Sequence, residues 1–370
     1  MMLGLVAAMT MAAAPEAPLR MNDLLAVGTH NSYKQAIPEA ELAAMIAARG
    51  RPVLGLDYAH RPLAEQLDAG ARQLEIDVVA DPRGGRYARP LTALGGGTTL
   101  PPATAQALAK PGFKTLHMPD VDFRSSCVTF IECLSQIRAW SDQHRDHAPI
   151  LIMLNAKEGQ ASLPGGVTPL PFDEPAFDAL DAEIRGVFGP DRLITPDLVQ
   201  GRKPTLREAV LAGGWPTLEA ARGKVFFALD EGPAKVAIYR GERASLEGRA
   251  MFVNTDEASP AAAYLTLNDP VAQKDRIAAA VKAGFIVRTR ADADTWAARD
   301  GDVTQRDAAL SSGAQYVSTD YMWADPRLPG NYTVRLPGGV AAACNPVRAP
   351  KACHGAIETT AGAPSRAIPK

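Results

Sequence analysis

Eight short apolar runs punctuate the chain, and each carries polar side chains in its later half. They are LLAVGTH (24–30), QLEIDVVA (73–80), KTLHM (114–118), PILIMLNAK (149–157), KVFFALDE (224–231), AMFVNT (250–255), GFIVRTRAD (284–292) and AQYVSTDYM (314–322). Runs of this length and composition read as strands buried on both faces. Between them lie stretches with helical spacing of apolar positions, such as PEAELAAMIAA (38–48), CLSQIRAWSDQH (133–144) and DPVAQKDRIAAAVKAG (269–284). Strands alternating with helices predict βαβ units and a parallel sheet. Eight such units in one chain predict an α/β fold, the closed TIM (β/α)8 barrel.

Long connections rich in Gly, Pro and Ala, at 81–113 and 158–223, interrupt the barrel rhythm and read as decorations. The expected organisation is a catalytic barrel over 22–327 and an irregular C-terminal cap over 328–370. The first residues, MMLGLVAAMTMAAAPEAP, carry a short apolar run ending in small residues, which predicts a signal peptide over 1–14 despite the absence of a basic start. Export predicts a secreted or periplasmic protein. No later apolar run reaches the roughly 18 residues of a spanning helix.

Composition narrows the function classes. The 370 residues are 46% hydrophobic with a formal net charge of −2 and no basic run, so no nucleic-acid footprint is present. Four cysteines allow three pairings. The local pairs Cys127 with Cys133 and Cys344 with Cys353 favour two structural disulfides in an oxidising compartment. Zinc is the rival, but neither pair has CxxC spacing.

In a parallel barrel all strand C-termini open on one face, where catalytic loops gather. Glu75 and Asp77 stand at i and i+2 in LEIDVV, so both side chains face the same way. Two carboxylates so close disfavour each other's ionisation unless a cation or proton lies between them. Ca2+ accepts carboxylate, amide oxygen and water together, and Asn31 and Asn155 offer neutral oxygens from other strand ends. The plain alternative pairs both acids with arginine. His30 and His117 also end runs; two imidazoles near a cation suit attack on a phosphodiester, one polarising the phosphoryl group and one protonating the leaving oxygen. Lys157, Arg288 and Arg290 are candidate holders of phosphate charge, or ordinary ion-pair partners. His60, His144, His147 and His354 read as hydrogen-bonded histidines at loop starts.

The motifs GTHNSY (28–33), RQLEIDV (72–78), LHMPDVDFRSSC (116–127), PILIMLNAK (149–157), GWPTLEAARGKVFFALD (214–230) and GFIVRTRADADT (284–295) together resemble the bacterial Ca2+-dependent phosphatidylinositol-specific phospholipases C, a Streptomyces-type group of PLC-like phosphodiesterases. The resemblance runs in order through nearly the whole chain after Met21. It implies a TIM barrel that cleaves the glycerol–phosphate bond of phosphatidylinositol. It implies His30 and His117 as the catalytic histidines, with Asn31, Glu75, Asp77 and the residue at 155 as Ca2+ ligands, and a ligand carboxylate such as Glu75 helping to remove the inositol proton. The family pattern at the last site is Glu-x-Lys, whereas this chain has Asn155 followed by Lys157. Loss of one ligand charge predicts weaker Ca2+ binding, on the order of 10⁻⁴–10⁻³ M in dissociation constant.

The rival enzyme is a glycerophosphodiester phosphodiesterase, which resembles His-Arg-Gly where this chain has His30-Asn31-Ser32. A non-catalytic barrel binding lipid or inositol phosphates is the alternative of another class, and sphingomyelinase D-like chemistry a remoter third. The expected partners are a phospholipid or glycerophosphodiester substrate and a membrane surface touched transiently, with apolar residues near 91–113 a candidate docking loop. The chain is expected to act as a monomer.

Overall fold

The structure, a computed structural model, describes residues 18–91, 100–351 and 353–360. The predicted signal peptide, and 92–99 of the candidate docking loop, lie outside the described residues.

Eight parallel strands form the barrel: β1 (Leu24–Thr29), β2 (Gln73–Val79), β4 (Ile150–Ala156), β5 (Val225–Leu229), β6 (Met251–Val253), β7 (Tyr264–Thr266), β8 (Ile286–Arg290) and β9 (Tyr316–Thr319). Their order is β6-β5-β4-β2-β1-β9-β8-β7. A parallel bridge between Asn254 and Tyr264 brings the two ends of this order together. The Asn254 side chain also accepts from Thr266 N at 3.0 Å across the same seam. Nearly every strand residue is buried, as strands covered on both faces must be.

The eight strands are not the eight predicted runs. KTLHM contributes only β3 (Lys114–Thr115), which pairs antiparallel with the end of β2, Val78 with Thr115 and Val79 with Lys114. The missed barrel strand is β7, three residues long beside Ala261–Ala263, too short to show a period. The position of β3 has a functional consequence. β4 occupies one edge of β2 from Gln73 to Val78, and β1 pairs with the other edge only at Gln73 and Leu74. β3 therefore takes the lane above β1 and runs down it, toward the end of β1.

The described part of the tail is not wholly irregular. β10 (Val340–Cys344) pairs antiparallel with Leu24–Ala26 of β1, and β11 (Ala356–Thr359) pairs with β10. This hairpin covers the N-terminal end of β1, away from the catalytic face. The Cys344–Cys353 disulfide closes it, and Arg72 ion-pairs with Glu358. The second disulfide is Cys127–Cys133. The 158–223 connection carries helices Glu174–Val187, Pro196–Gln200, Leu206–Leu211 and Leu218–Ala221, with Asp173, Thr195, Thr205 and Thr217 as N-caps. Among the described residues no helix is long and apolar enough to cross a membrane.

Candidate active site

The end of β1 sets the first half of the site. Gly28 lets β1 approach β2 closely: a Cβ there would lie 2.1 Å from the Gln73 carbonyl oxygen. The chain then turns, with Asn31 at φ +47° and Lys34 N donating to Asn31 O at 2.8 Å. Asparagine tolerates this left-handed conformation better than most residues. The turn throws His30 and Asn31 onto the lip of the barrel.

His30 is gripped from several sides. Its Nδ1 lies 2.7 Å from Asp320 Oδ1, 3.1 Å from the Tyr58 hydroxyl and 3.3 Å from Arg290 Nη2. Its Nε2 faces Glu75 Oε1 at 3.6 Å. The ionised Asp320 carboxylate accepts from Nδ1, which therefore carries a proton, and the Arg290 guanidinium at 3.3 Å acts on the ring through its charge and not as a donor. Burial first, and the Arg290 guanidinium next, push the His30 pKa well below the usual imidazole value, against the pull of Glu75. The ring is therefore neutral at neutral pH. His60 Nε2 holds the His30 carbonyl at 2.7 Å, and burial lowers the His60 pKa to about 4.

His117 reaches the same mouth by another route. Two residues beyond β3, it descends the lane above β1 toward His30, close enough that its charge contributes to lowering the His30 pKa. Its Nδ1 lies 2.9 Å from the buried Asp122 Oδ2. Each histidine thus has Nδ1 tied to a buried carboxylate, and each side chain is 19% exposed.

The acidic pair lies on β2 as its spacing predicts. Glu75 Oε2 accepts from Arg288 Nη2 at 2.6 Å, and Arg288 also donates to Asn268 Oδ1 and Ser318 Oγ. Asp77 sits in register with Asn155 on β4 and ion-pairs with Lys157 Nζ at 3.2 Å. Burial opposes the Lys157 charge, but Asp77 and then Glu75 outweigh it and hold its pKa above the ordinary lysine value. Arg290 Nη2 contacts Asp320 Oδ2 at 3.3 Å. The ion pairing weighed for these three cations is present at each of them.

Several oxygens at this lip are left over. Asn31 Nδ2 donates to the Tyr58 hydroxyl at 2.8 Å, and its buried Oδ1 has no hydrogen-bond partner. Asn155 Nδ2 donates to the Asp230 carbonyl at 2.6 Å, which turns its Oδ1 away from that bond. Both oxygens of Asp77 are buried and lack hydrogen bonds of good geometry. Buried acceptors without donors are costly, and oxygen-rich clusters of carboxylate and carboxamide suit a hard cation. Among the described residues no group of three or more His, Cys, Asp or Glu side chains forms a metal cluster. The fit rests on two carboxylates helped by two amides. Glu158 is no substitute for a third acid: it accepts from Phe172 N at 2.6 Å and faces Lys235.

Three participants escaped the sequence reading. Asp122 lies five residues after His117 inside the quoted motif, so an acid beside a histidine was the available signal. Tyr58 lies in irregular backbone and Lys34 in an isolated bridge to Ser125, and neither has a period to mark it. Asp320 is one of the polar residues that end the eighth run, but only barrel closure brings it to His30.

A sequence model of the family described as phosphoinositide phospholipase C, Ca2+-dependent, matches residues 19–346. Among curated proteins no sequence matches. Solved structures do. A calcium-dependent phosphoinositol-specific phospholipase C from a Gram-negative bacterium, Pseudomonas sp, in an apo crystal form, aligns with TM-score 0.54 and 16% identity over 88% of this chain and 95% of that one. The structure of the same description given as a myoinositol complex aligns with TM-score 0.52 and 16% identity, over 82% and 91%. A Ca2+-dependent phosphatidylinositol-specific phospholipase C from Streptomyces antibioticus aligns with TM-score 0.50 and 18% identity, over 82% and 95%. At such identities the structures establish the shared barrel, and the match over 19–346 establishes kinship: this chain belongs to the Ca2+-dependent phosphoinositide phospholipase C family of phosphodiesterases.

Proposed function

We propose that the protein cleaves phosphatidylinositol to diacylglycerol and a cyclic inositol phosphate, using His30 and His117 as its catalytic pair. The observation that carries this reading is the pairing of each histidine with a buried carboxylate, beside the unpartnered Asn31 Oδ1 and the buried Asp77 carboxylate. Asn31, Glu75, Asp77 and Asn155 would hold Ca2+, which when bound acidifies a coordinated hydroxyl and neutralises phosphate charge.

The chain's own residues supply the rest. Glu75, held by Arg288, takes the proton of the inositol 2-hydroxyl as its oxygen attacks phosphorus. The anionic phosphate favours a second proton on the ring, so His30 keeps Nδ1 on Asp320 beside Tyr58 and donates from Nε2 to the charged phosphoryl oxygens. Lys157 and Arg290 add positive charge at the phosphate, whereas Arg288, only 1% exposed, acts on substrate through Glu75. His117 delivers a proton from Nε2 to the departing diacylglycerol oxygen, its Nδ1 proton being held by Asp122. The substrate is met at a membrane surface that the protein touches transiently. Two disulfides support an oxidising compartment, outside the cytoplasm.

The test is a panel of phosphatidylinositol, glycerophosphocholine and sphingomyelin, each with Ca2+, Mg2+ or chelator. Calcium-stimulated release of diacylglycerol from phosphatidylinositol is expected. Turnover of glycerophosphocholine with none of phosphatidylinositol would sink the reading.

A further inference from the structure

The stretch THNSYK (29–34) ends in a lysine that the mechanism above leaves unused. The Lys34 side chain is fully buried, as is that of Asp122. An ammonium has three donors, and three acceptors surround this one: Leu56 O and Tyr58 O at 2.9 Å each, and Asp122 Oδ2 at 3.3 Å. The Tyr58 ring lies beneath it, with 4.7 Å between Nζ and the ring centroid. Stability is a poor reason to keep such a charge, because burying an ion pair costs its hydration and apolar replacements are often neutral or better.

The contacts suggest placement instead. The Asp122 oxygen that Lys34 touches is the one that binds His117 Nδ1 at 2.9 Å. Tyr58, whose carbonyl accepts from Lys34, puts its hydroxyl 3.1 Å from His30 Nδ1 and 2.8 Å from Asn31 Nδ2. One buried cation therefore contacts the carboxylate that orients one histidine and the residue that flanks the other.

We propose that Lys34 is a positioning residue for proton donation by His117: it holds Asp122 so that Nδ1 stays bound and Nε2 stays turned to the leaving oxygen. This rests on the phospholipase reading above. In that step the inositol oxygen forms the new P–O bond and its proton passes to Glu75. The electrons of the breaking P–O bond go to the glycerol oxygen, which takes the Nε2 proton. An alkoxide needs that proton to leave. An aryloxide of low basicity departs without it, so a fault in placing His117 falls on alkyl leaving groups and spares aryl ones.

The experiment compares phosphatidylinositol vesicles with an aryl ester of inositol phosphate, both with Ca2+, for wild type, Lys34→Met, Asp122→Asn and the double variant. Lys34→Met is expected to lower kcat on phosphatidylinositol by about 10²-fold or more, the worth of a well-placed general acid. KM should hold, and the aryl substrate should lose less than about tenfold. Asp122→Asn should show the same split, and the double variant should be no slower than Asp122→Asn alone, because both act through one chain of contacts. Thermal melting checks that each variant folds; Lys34→Gln, which keeps a donor for the two carbonyls, replaces Lys34→Met if that variant does not. Equal losses on both substrates, or additive losses in the double variant, would overturn the proposal while leaving the phospholipase reading intact. A wild type that cleaves neither substrate would overturn both.

Discussion

At the scale of single residues, the site is a set of side chains each given one task by its neighbours. Asp320 and Asp122 decide which nitrogen of each histidine faces the mouth. Replacing His30 or His117 by Ala is expected to cut phosphatidylinositol turnover by about 10²–10⁴-fold, with little change in melting temperature because both rings are partly exposed. Parallel assays and melts check this; a variant retaining most of its activity would remove that histidine from the mechanism. Asn155 offers a carboxamide oxygen where a carboxylate would add ligand charge. Asn155→Glu adds a charge beside Asp77 and is expected to lower the half-saturating Ca2+ concentration by about tenfold, since affinity follows ligand charge count. Calcium titration by calorimetry reads it directly, and an unchanged affinity would place the ion away from Asn155.

Elements deliver those residues to one place. β1 and β2 present His30, Asn31, Glu75 and Asp77 from adjacent strands, and their closeness depends on Gly28. Gly28→Ala sets a Cβ against the Gln73 backbone, which cannot rotate away. The strands must part, at a cost of about 1–3 kcal/mol, and the histidine and the acids part with them. Urea denaturation should show lost stability, with activity falling further than the folded fraction does; a variant as stable as wild type would show that the strands have room. β3 brings His117 down over β1, and the Cys127–Cys133 disulfide closes the loop that follows. A two-residue antiparallel piece has no pattern of its own, so KTLHM was legible as a strand but its place was not.

Over the whole molecule, buried ionisable groups tie stability to pH. Glu183, on helix Glu174–Val187, accepts from Phe113 N at 3.3 Å and buries its other oxygen without a partner. Burial raises its pKa from 4.5 to about 7. The folded carboxyl therefore holds a proton that the unfolded one has released, so stability falls as pH rises across that window, and the loss is complete above pH 7. Glu183→Gln keeps the shape of the protonated acid. It is expected to raise the melting temperature by a few degrees at pH 8, where the penalty is about 3 kcal/mol, and to change little below pH 4.5. Melts at both pH values check this, and an equal shift at each would rule out ionisation as the cause.

The sequence by itself determined the barrel class and the acids on one face of a strand, named the two histidines, and favoured the two local disulfides. Each of these is written in local signals: apolar runs of strand length, cysteines close in the chain, and a period of two that puts Glu75 and Asp77 on one face. Only the tertiary structure decided which eight strands close the barrel, that β3 lies in the lane above β1, and that the tail pairs with the far end of β1. It alone joined Asp320 to His30 across 290 residues, and Lys34 to Asp122 and His117. Hydrogen bonds between distant segments leave no periodicity in the chain, so they become visible only once the strands are in register.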